Sequence, residues 1–548
     1  MGRDLFPAQS LGVPSSHDTE PPPPGGGSFS IRTGEEQLGG YLTQPLKRAA
    51  SLFGDRLAVI DGDTRYSWAQ LQERVARMAG ALHDRGIREG DRVAILAYNS
   101  FRYFELHFAL PWAGAVMVPL NTRLAPAENE FQLRDSQPRL LFVDTEMLPS
   151  LDSMGDIRDT IDVVVLDPAS GANEYESMIE GAVVAPDRAP GGDSLAGLFY
   201  TGGSTGRPKG VMLSHDNLLQ NAVNTLIGVG YDETSRYLHA APMFHLTDGM
   251  ATYSVTMAGG IHAFVPRFDA VKVLEQVQAH QITNLTLVPT MIEMLAREAE
   301  RGSYDVSSMR QFQFGSSPMP DATLERALRV WPDTLFLHGW GMTEISPIGT
   351  MLPHHLRDPK VAGARLRSVG IPAPNEEIRI VDENDEDVPR GQVGELIVRG
   401  PMVMLGYWNQ PDITAETLRG GWMHTGDAAW QDEEGLLYIA DRPKDMIISG
   451  GENVYSTEVE SVVGLFPGVR EAAVFGLPHE KWGEMVCAAV LPEDGVELDL
   501  DALEQFVRSR IAAYKVPKKV FVRTAPLPLT SAGKLSKKTL REEYAPSA

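Results

Sequence analysis

Between residues 68 and 85 the apolar positions recur with a helical period, and they then give way to the short run Arg92-Val-Ala-Ile-Leu-Ala. A 3.6-residue period marks an amphipathic helix, and a brief apolar run bounded by polar residues marks a buried strand. The exchange repeats at Ala115-Val-Met-Val-Pro-Leu and through 140–165, 236–241 and 282–295. Helices alternating with short buried strands predict an α/β architecture of layered sheets. This rhythm runs to about Asp441. Beyond it the pattern predicts a helix over 457–466, strands over 472–476 and 486–491, and a helix over 500–511. That count makes a small α+β domain of about 100 residues. The expected organisation is an arm over 1–30, a large domain over 31–441 and a small mobile domain over 442–548. The arm is read as disordered, because Pro21 to Pro24 and Gly25 to Gly27 leave too few apolar residues for a core.

Composition supports the division. A chain of 548 residues, 43% of them hydrophobic, is too long for one core. It has no uninterrupted apolar run long enough to cross a bilayer and no basic-then-apolar leader, so no integral membrane segment and a cytoplasmic location are expected. Lys and Arg number 49 against 73 Asp and Glu, and a net charge of −24 opposes binding to nucleic acid. A local basic stretch, Lys515, Lys518, Lys519, Arg523, Lys534, Lys537 and Lys538, is either a polyanion-binding patch or a solvated face. The single cysteine, Cys487, lies in the apolar run Met485-Val-Cys-Ala-Ala-Val-Leu, which predicts a buried thiol rather than a nucleophile.

The first sign of chemistry is Tyr200-Thr-Gly-Gly-Ser-Thr-Gly-Arg-Pro-Lys-Gly210, entered from the apolar run Leu195-Ala-Gly-Leu-Phe-Tyr. Glycines let backbone N–H groups converge, hydroxyls donate to phosphate oxygens or bind a metal, and Lys209 neutralises charge. A Walker loop needs Ser or Thr after its lysine, and Gly210 stands there. Gly202-Gly-Ser-Thr-Gly206 does satisfy G-x-S-x-G, so a serine hydrolase using Ser204 is an alternative, although Pro208 and Gly210 oppose the helix that such an elbow opens. Further on, Trp340-Gly-Met-Thr-Glu344 joins an aromatic plate to a carboxylate suited to Mg²⁺. Asp427 is able to accept hydrogen bonds from a ribose diol. Asp441-Arg-Pro-Lys-Asp445 precedes the glycine-rich step Ser449-Gly-Gly-Glu-Asn453, and Pro528-Leu-Thr-Ser-Ala-Gly-Lys534 closes the series. Taken singly, the tryptophan also reads as core and the aspartate as a turn residue.

In this order, from about residue 35 to 543, these motifs resemble the adenylate-forming superfamily of acyl-CoA synthetases, 4-coumaroyl-CoA ligases, firefly luciferase and peptide-synthetase adenylation domains. The resemblance implies a large adenylate-forming domain and a small mobile carboxyl-terminal domain. It implies an AMP-forming acid–thiol ligase that uses ATP, Mg²⁺ and CoA. Thr201, Gly202, Gly203, Ser204, Thr205, Gly206 and Lys209 would wrap the phosphates, with Thr205 and Glu344 binding magnesium. Ser316, Ser317, Pro318 and Trp340 would flank adenine, and Gly341, Met342 and Thr343 would also belong to the ATP/AMP site. Asp427 and Arg442 would hold ribose, with Ile439 packing nearby. Lys534 would reach the reacting carboxylate, and Lys444 would be the hinge between half-reactions. Ser449, Gly450, Gly451, Glu452 and Asn453 would flank the CoA thiol arm. Gly202, Trp340 and Lys537 depart from the commoner Ser, Tyr and Arg without removing a group the chemistry needs.

His245, in Pro242-Met-Phe-His-Leu-Thr-Asp248, stands where amino-acid adenylation domains commonly carry an aspartate, which disfavours an amino-acid substrate. By itself such a histidine also reads as a satisfied core residue. The resemblance places His245 at the mouth of the acyl pocket as a catalytic-site residue, lined further by Gly249, Gly315, Gly339, Gly341, Met342, Pro347 and Ile348. The many glycines suggest room. The expected substrate is an apolar monocarboxylic acid, with medium- or long-chain fatty acids first and aryl acids second. The acceptor is CoA or, alternatively, the phosphopantetheine of a carrier protein.

Overall fold

The protein is described by a computed structural model over residues 40–167, 173–201, 208–315, 319–440, 447–449, 452–454, 456–479, 482–511, 513–529 and 535–545. The proline-rich arm expected over 1–30 lies outside these residues.

The alternating pattern folds into two large sheets. In the first, seven strands run in the order Gly406–Tyr407, Lys209–Ser214, Leu195–Thr201, Val116–Pro119, Arg92–Leu96, Leu140–Val143 and Asp162–Val165. Pairing is parallel from Leu195–Thr201 outward to Asp162–Val165, and antiparallel where Lys209–Ser214 and Gly406–Tyr407 are added. The second sheet has nine strands and a parallel centre, Leu335–Gly341, Gln311–Phe314, Asn284–Leu287, Arg236–His239, Ile261–Phe264 and Leu57–Asp61, with antiparallel strands at both edges.

The apolar faces of the helices Trp68–Asp84 and Phe101–Ala113 enter a cluster that includes Val59 and Phe264 of the nine-stranded sheet and Val93 and Phe142 of the seven-stranded sheet. Trp68, Phe104 and Phe108 are fully buried there. Ser67 begins the first of these helices with a reciprocal cap to Gln70, as an S-x-x-Q pattern requires. The runs Arg92-Val-Ala-Ile-Leu and Val116-Met-Val-Pro become parallel strands buried on both faces, which is why they read as continuous rather than alternating.

A third, antiparallel sheet, Glu377–Val381, Gly394–Arg399, Met423–Gln431 and Leu437–Ile439, packs its own core against Trp340 and Ile345. Residues 447–522 form the last sheet, built on the hairpin Val469–His479 and Gly483–Pro492, to which Ile447–Ser449 and Lys519–Val522 pair. The helices Ser456–Gly464 and Leu500–Arg508 cover it. Cys487 is buried in that hairpin, and burial pushes its thiol up to about 11. Among the described residues no helix is long and apolar enough to cross a membrane.

Candidate functional site

Four of the segments singled out by sequence lie at the carboxyl ends of parallel strands, where α/β sheets open to ligands. Thr201 ends Leu195–Thr201, Gly315 follows Gln311–Phe314, Gly341 ends Leu335–Gly341, and the loop to His245 follows Arg236–His239. Thr201 pairs with Lys209 and Tyr200 with Gly210 across an antiparallel hairpin. The tip residues Gly202, Gly203, Ser204, Thr205 and Gly206 lie outside the described residues. After the tip the chain continues as the strand Lys209–Ser214 and becomes helical only at His215. A nucleophile elbow needs strand, turn and helix in immediate succession, so the flanking elements do not support the serine hydrolase.

Glu344 sits in a single helical turn, Thr343–Ile345, and is 7% exposed. Its Oε1 accepts a 2.9 Å hydrogen bond from the Tyr407 hydroxyl, and Met404 N–H donates to its carbonyl at 2.8 Å. The Lys209 ammonium lies 4.7 Å from the centre of the Tyr407 ring. Burial raises the Glu344 pKa, while its own backbone N–H, the Tyr407 hydroxyl and the Lys209 charge oppose the rise. A desolvated carboxylate held by one hydroxyl and facing a lysine suits a hard cation and a polyphosphate together, so the donor chemistry fits magnesium. Tyr407 was not singled out by sequence. It reaches Glu344 because Gly406–Tyr407 pairs with Lys209–Ser214, Tyr407 lying opposite Val211, a long-range pairing with no local signature.

Trp340 is 7% exposed, and its indole N–H donates to Asp427 Oδ2 at 2.9 Å. One residue of the proposed adenine plate thus orients the carboxylate proposed for ribose. Asp427 lies within Met423–Gln431, after Gly426 in a left-handed conformation (φ 69°), and Ile439 is on the adjoining strand, opposite Ala429. Lys209, Tyr407 and Glu344 therefore form one connected group and Trp340 and Asp427 another, with Asp427 adding a repulsive charge near Glu344.

His245 stands immediately before the helix Leu246–Ala258 without capping it through its side chain, and its ring lies 4.6 Å from that of Phe244. It lines a small cleft with Pro119, Asn121, Gln132, Tyr200 and Thr343. Met342 stands just before the Glu344 turn, and its N–H donates to Pro347 O at 2.9 Å. The glycines expected to give room to an acyl chain have a different cause. A Cβ on Gly341 would lie 1.8 Å from Pro347 O, and one on Gly315, Gly339 or Gly249 would lie 2.7–2.9 Å from the carbonyl oxygens of Gly339, Thr350 or Met243. These positions are glycine because backbone meets backbone. Ile348 packs instead among Tyr231, Tyr237, Ala251, Val255, Leu337 and Met351.

Ser316, Ser317, Pro318, Arg442, Lys444, Gly450, Gly451 and Lys534 lie outside the described residues. Ser449 is buried and pairs with Gly483, and the strand Glu452–Val454 follows it. The basic stretch is largely neutralised from within. Lys515 pairs with Glu458 at 2.6 Å, Arg523 with Glu543 at 2.9 Å and Lys537 with Glu460 at 3.0 Å. Lys518 donates to a backbone carbonyl, and Lys519 lies over the Phe521 ring.

A lysine-bearing hairpin and a buried carboxylate at strand ends of the two α/β sheets, with a tryptophan-tethered aspartate on the antiparallel sheet, suit a nucleotide-using ligase. The chain belongs to the AMP-binding enzyme family, whose model matches residues 46–408, with the AMP-binding enzyme C-terminal domain matching 458–534. It is 39% identical to a feruloyl-CoA synthase of Amycolatopsis sp, over 92% of this chain and 99% of that protein. It is 36% identical to an indoleacetate–CoA ligase of Aromatoleum aromaticum, over 91% and 98%. ATP-bound MatB from Rhodopseudomonas palustris superposes with a TM-score of 0.82 at 32% identity, covering 92% of this chain and 99% of that one. The protein is an ATP-dependent acid–thiol ligase, and the CoA ligases of this family use ATP, Mg²⁺ and CoA.

Proposed function

We propose that the chain activates an aryl-substituted carboxylic acid as its acyl-adenylate and transfers the acyl group to CoA. This reverses the order expected from sequence, which put fatty acids first. The reading is carried by the likeness to feruloyl- and indoleacetate-activating relatives, each covered over nearly its whole length. The glycines near Glu344 are filled by backbone, and Ile348 packs into a core with the buried Tyr231 and Tyr237, so none of these positions supports a long aliphatic channel.

In the first half-reaction a substrate carboxylate oxygen attacks the α-phosphorus of ATP and pyrophosphate leaves. Both reactants are anionic, so the protein's task is positioning and charge compensation. Lys209 and the hairpin tip hold the outer phosphates, Glu344 and Thr205 bind magnesium, which supplies charge neutralisation, and Lys534 brings the carboxylate to the α-phosphate. Trp340 and Asp427 fix the nucleoside. In the second half-reaction the CoA sulfur attacks the acyl carbonyl and AMP leaves. We assign Lys444 as the hinge that withdraws Lys534 and presents Ser449–Asn453, with domains dividing near residue 441.

The test is acid-dependent ATP–pyrophosphate exchange and CoA thioester formation over ferulate, indole-3-acetate, benzoate and a series of fatty acids. The proposal expects the highest kcat/KM with an aryl acid. A saturated fatty acid ahead of every aryl acid by tenfold or more, about 1.4 kcal/mol, would overturn it.

A further inference from the structure

Asn221 is wholly buried in the middle of the helix His215–Val229, yet its carboxamide serves another segment entirely. Its Nδ2 donates to Ile345 O at 2.9 Å and to Ile348 O at 2.7 Å, and its Oδ1 accepts from Ile348 N–H at 3.3 Å. An asparagine side chain has two N–H donors and one acceptor oxygen, and all of them are spent on the turn that follows Glu344. That turn needs holding. Ser346 adopts φ 70°, a left-handed conformation that a non-glycine residue seldom takes. The turn's own bonds, Ile345 N–H to Met342 O and Ser346 N–H to Thr343 O, fix only its first half. Ser346 Oγ donates to Met402 O and thereby ties the turn to the segment before Tyr407.

We propose that Asn221 is a positioning residue that sets the Glu344 carboxylate against Lys209. The inference rests on the reading of Glu344 as a magnesium-binding group. The helix that carries Asn221 starts at the end of the strand Lys209–Ser214, with Ser214 and Asn217 forming a reciprocal cap. The strand bearing Lys209 thus runs directly into the helix bearing Asn221, and Asn221 ties that helix to the Glu344 turn. Asn217 repeats the device one turn earlier, with Nδ2 donating to Pro401 O at 2.7 Å on the segment leading to Tyr407. Neither leucine nor aspartate reproduces the contact. Leucine offers no polar atom, and ionised aspartate presents oxygens to two carbonyl oxygens.

The test uses Asn221→Ser, which is too short to reach the turn. In the full-length ligand-free protein, hydrogen–deuterium exchange over residues 343–350 should accelerate at least about tenfold, with helix 215–229 unchanged. The Mg²⁺ concentration giving half-maximal pyrophosphate exchange should rise about 10–100-fold, the usual effect of losing a group that orients a metal ligand. In a Glu344→Gln background the same substitution should add less than about twofold, because coupled residues are not additive. Unchanged hydrogen exchange at 343–350, or penalties that multiply independently of Glu344, would overturn the proposal while leaving the role of Glu344 intact. A Glu344→Gln protein with unaltered Mg²⁺ dependence would instead overturn the underlying reading. If Asn221→Ser does not fold, Asn221→Asp decides. Its protonated form restores one donor, so its deficit relative to the unsubstituted protein should shrink from pH 8 to pH 6, and a deficit constant with pH would refute the role.

Discussion

Replacing Tyr407 by Phe removes one atom from the centre of the site and leaves the rest in place. The ring over which Lys209 lies is kept, and the 2.9 Å hydrogen bond to Glu344 Oε1 is lost. Hydrogen bonds to charged groups contribute about 1.5–3 kcal/mol. The sign is fixed by the donor. The Tyr407 hydroxyl favours the ionised carboxylate, so its loss adds to the burial that already raises the Glu344 pKa. Magnesium needs the ionised form. In Tyr407→Phe the acid limb of the exchange rate against pH should therefore move upward. Below the new midpoint the Mg²⁺ requirement should rise about tenfold per pH unit as protons compete for the carboxylate. Raising Mg²⁺ should restore the rate at fixed pH. An acid limb that stays in place, or a rate loss that Mg²⁺ does not relieve, would show that Tyr407 does not set the ionisation of Glu344.

Three other substitutions test separate parts of the site and its support. Trp340→Phe keeps an aromatic face but takes the 2.9 Å donor from Asp427; a loss of about 1.5–3 kcal/mol predicts ATP binding weaker by about 10–100-fold by calorimetry, with kcat less affected, and unchanged binding would remove Asp427 from the nucleoside. Lys534→Ala should lower pyrophosphate exchange about 10²–10³-fold while ATP still binds, and near-normal exchange would sink its assignment. Glu376 is buried beside Gly349, with neither carboxyl oxygen bonded among the described residues. Glu376→Met should stabilise the first unfolding transition in urea by about 1–3 kcal/mol at pH 8. Burial holds the Glu376 pKa well above its ordinary value, so its contribution is intact below about pH 4.5 and is lost as pH rises. The gain should thus fade toward pH 4.5, and a gain independent of pH would contradict the burial argument.

The elements most legible in sequence are those whose burial is uniform. Helix 68–85 was expected and Trp68–Asp84 forms, and the runs at 92–97 and 115–120 become Arg92–Leu96 and Val116–Pro119. The strands expected over 472–476 and 486–491 extend to Val469–His479 and Gly483–Pro492. Their ends carry Arg470, Glu471, Pro478, Glu484 and Pro492, whose polarity or missing N–H hid the hairpin. The antiparallel sheet from Glu377 to Ile439 was not foreseen, because half-buried strands separated by charged turns lack a continuous apolar run. Motif residues fared likewise. Glu344 and Asp427 stood out by type and context, whereas Tyr407 and Asn221 act through pairings nearly 200 and 130 residues away from Val211 and Ile348 respectively. Composition misled once: glycines read as room are backbone crossings. For the basic stretch, where a polyanion patch and a solvated face were both open, Lys515, Lys537 and Arg523 pair with Glu458, Glu460 and Glu543.

The connectivity of the site limits how its residues can be tested. Lys209 comes from the seven-stranded sheet, Trp340 from the nine-stranded sheet and Asp427 from the antiparallel one, and Glu344 lies on the turn that joins their influences. Tyr407 touches Glu344 and Lys209, while Trp340 touches Asp427. Groups in one hydrogen-bonded network show interaction energies of about 0.5–3 kcal/mol and do not add. Two pairs should therefore behave differently. Tyr407→Phe combined with Glu344→Gln should cost little more than Glu344→Gln alone, since the hydroxyl then has no carboxylate to stabilise. Tyr407→Phe combined with Trp340→Phe should cost nearly the sum, since one acts on the carboxylate for magnesium and the other on that for ribose. Measured as ATP–pyrophosphate exchange, additivity in the first pair or strong coupling in the second would mean that the phosphate and nucleoside halves of the site are not separate devices.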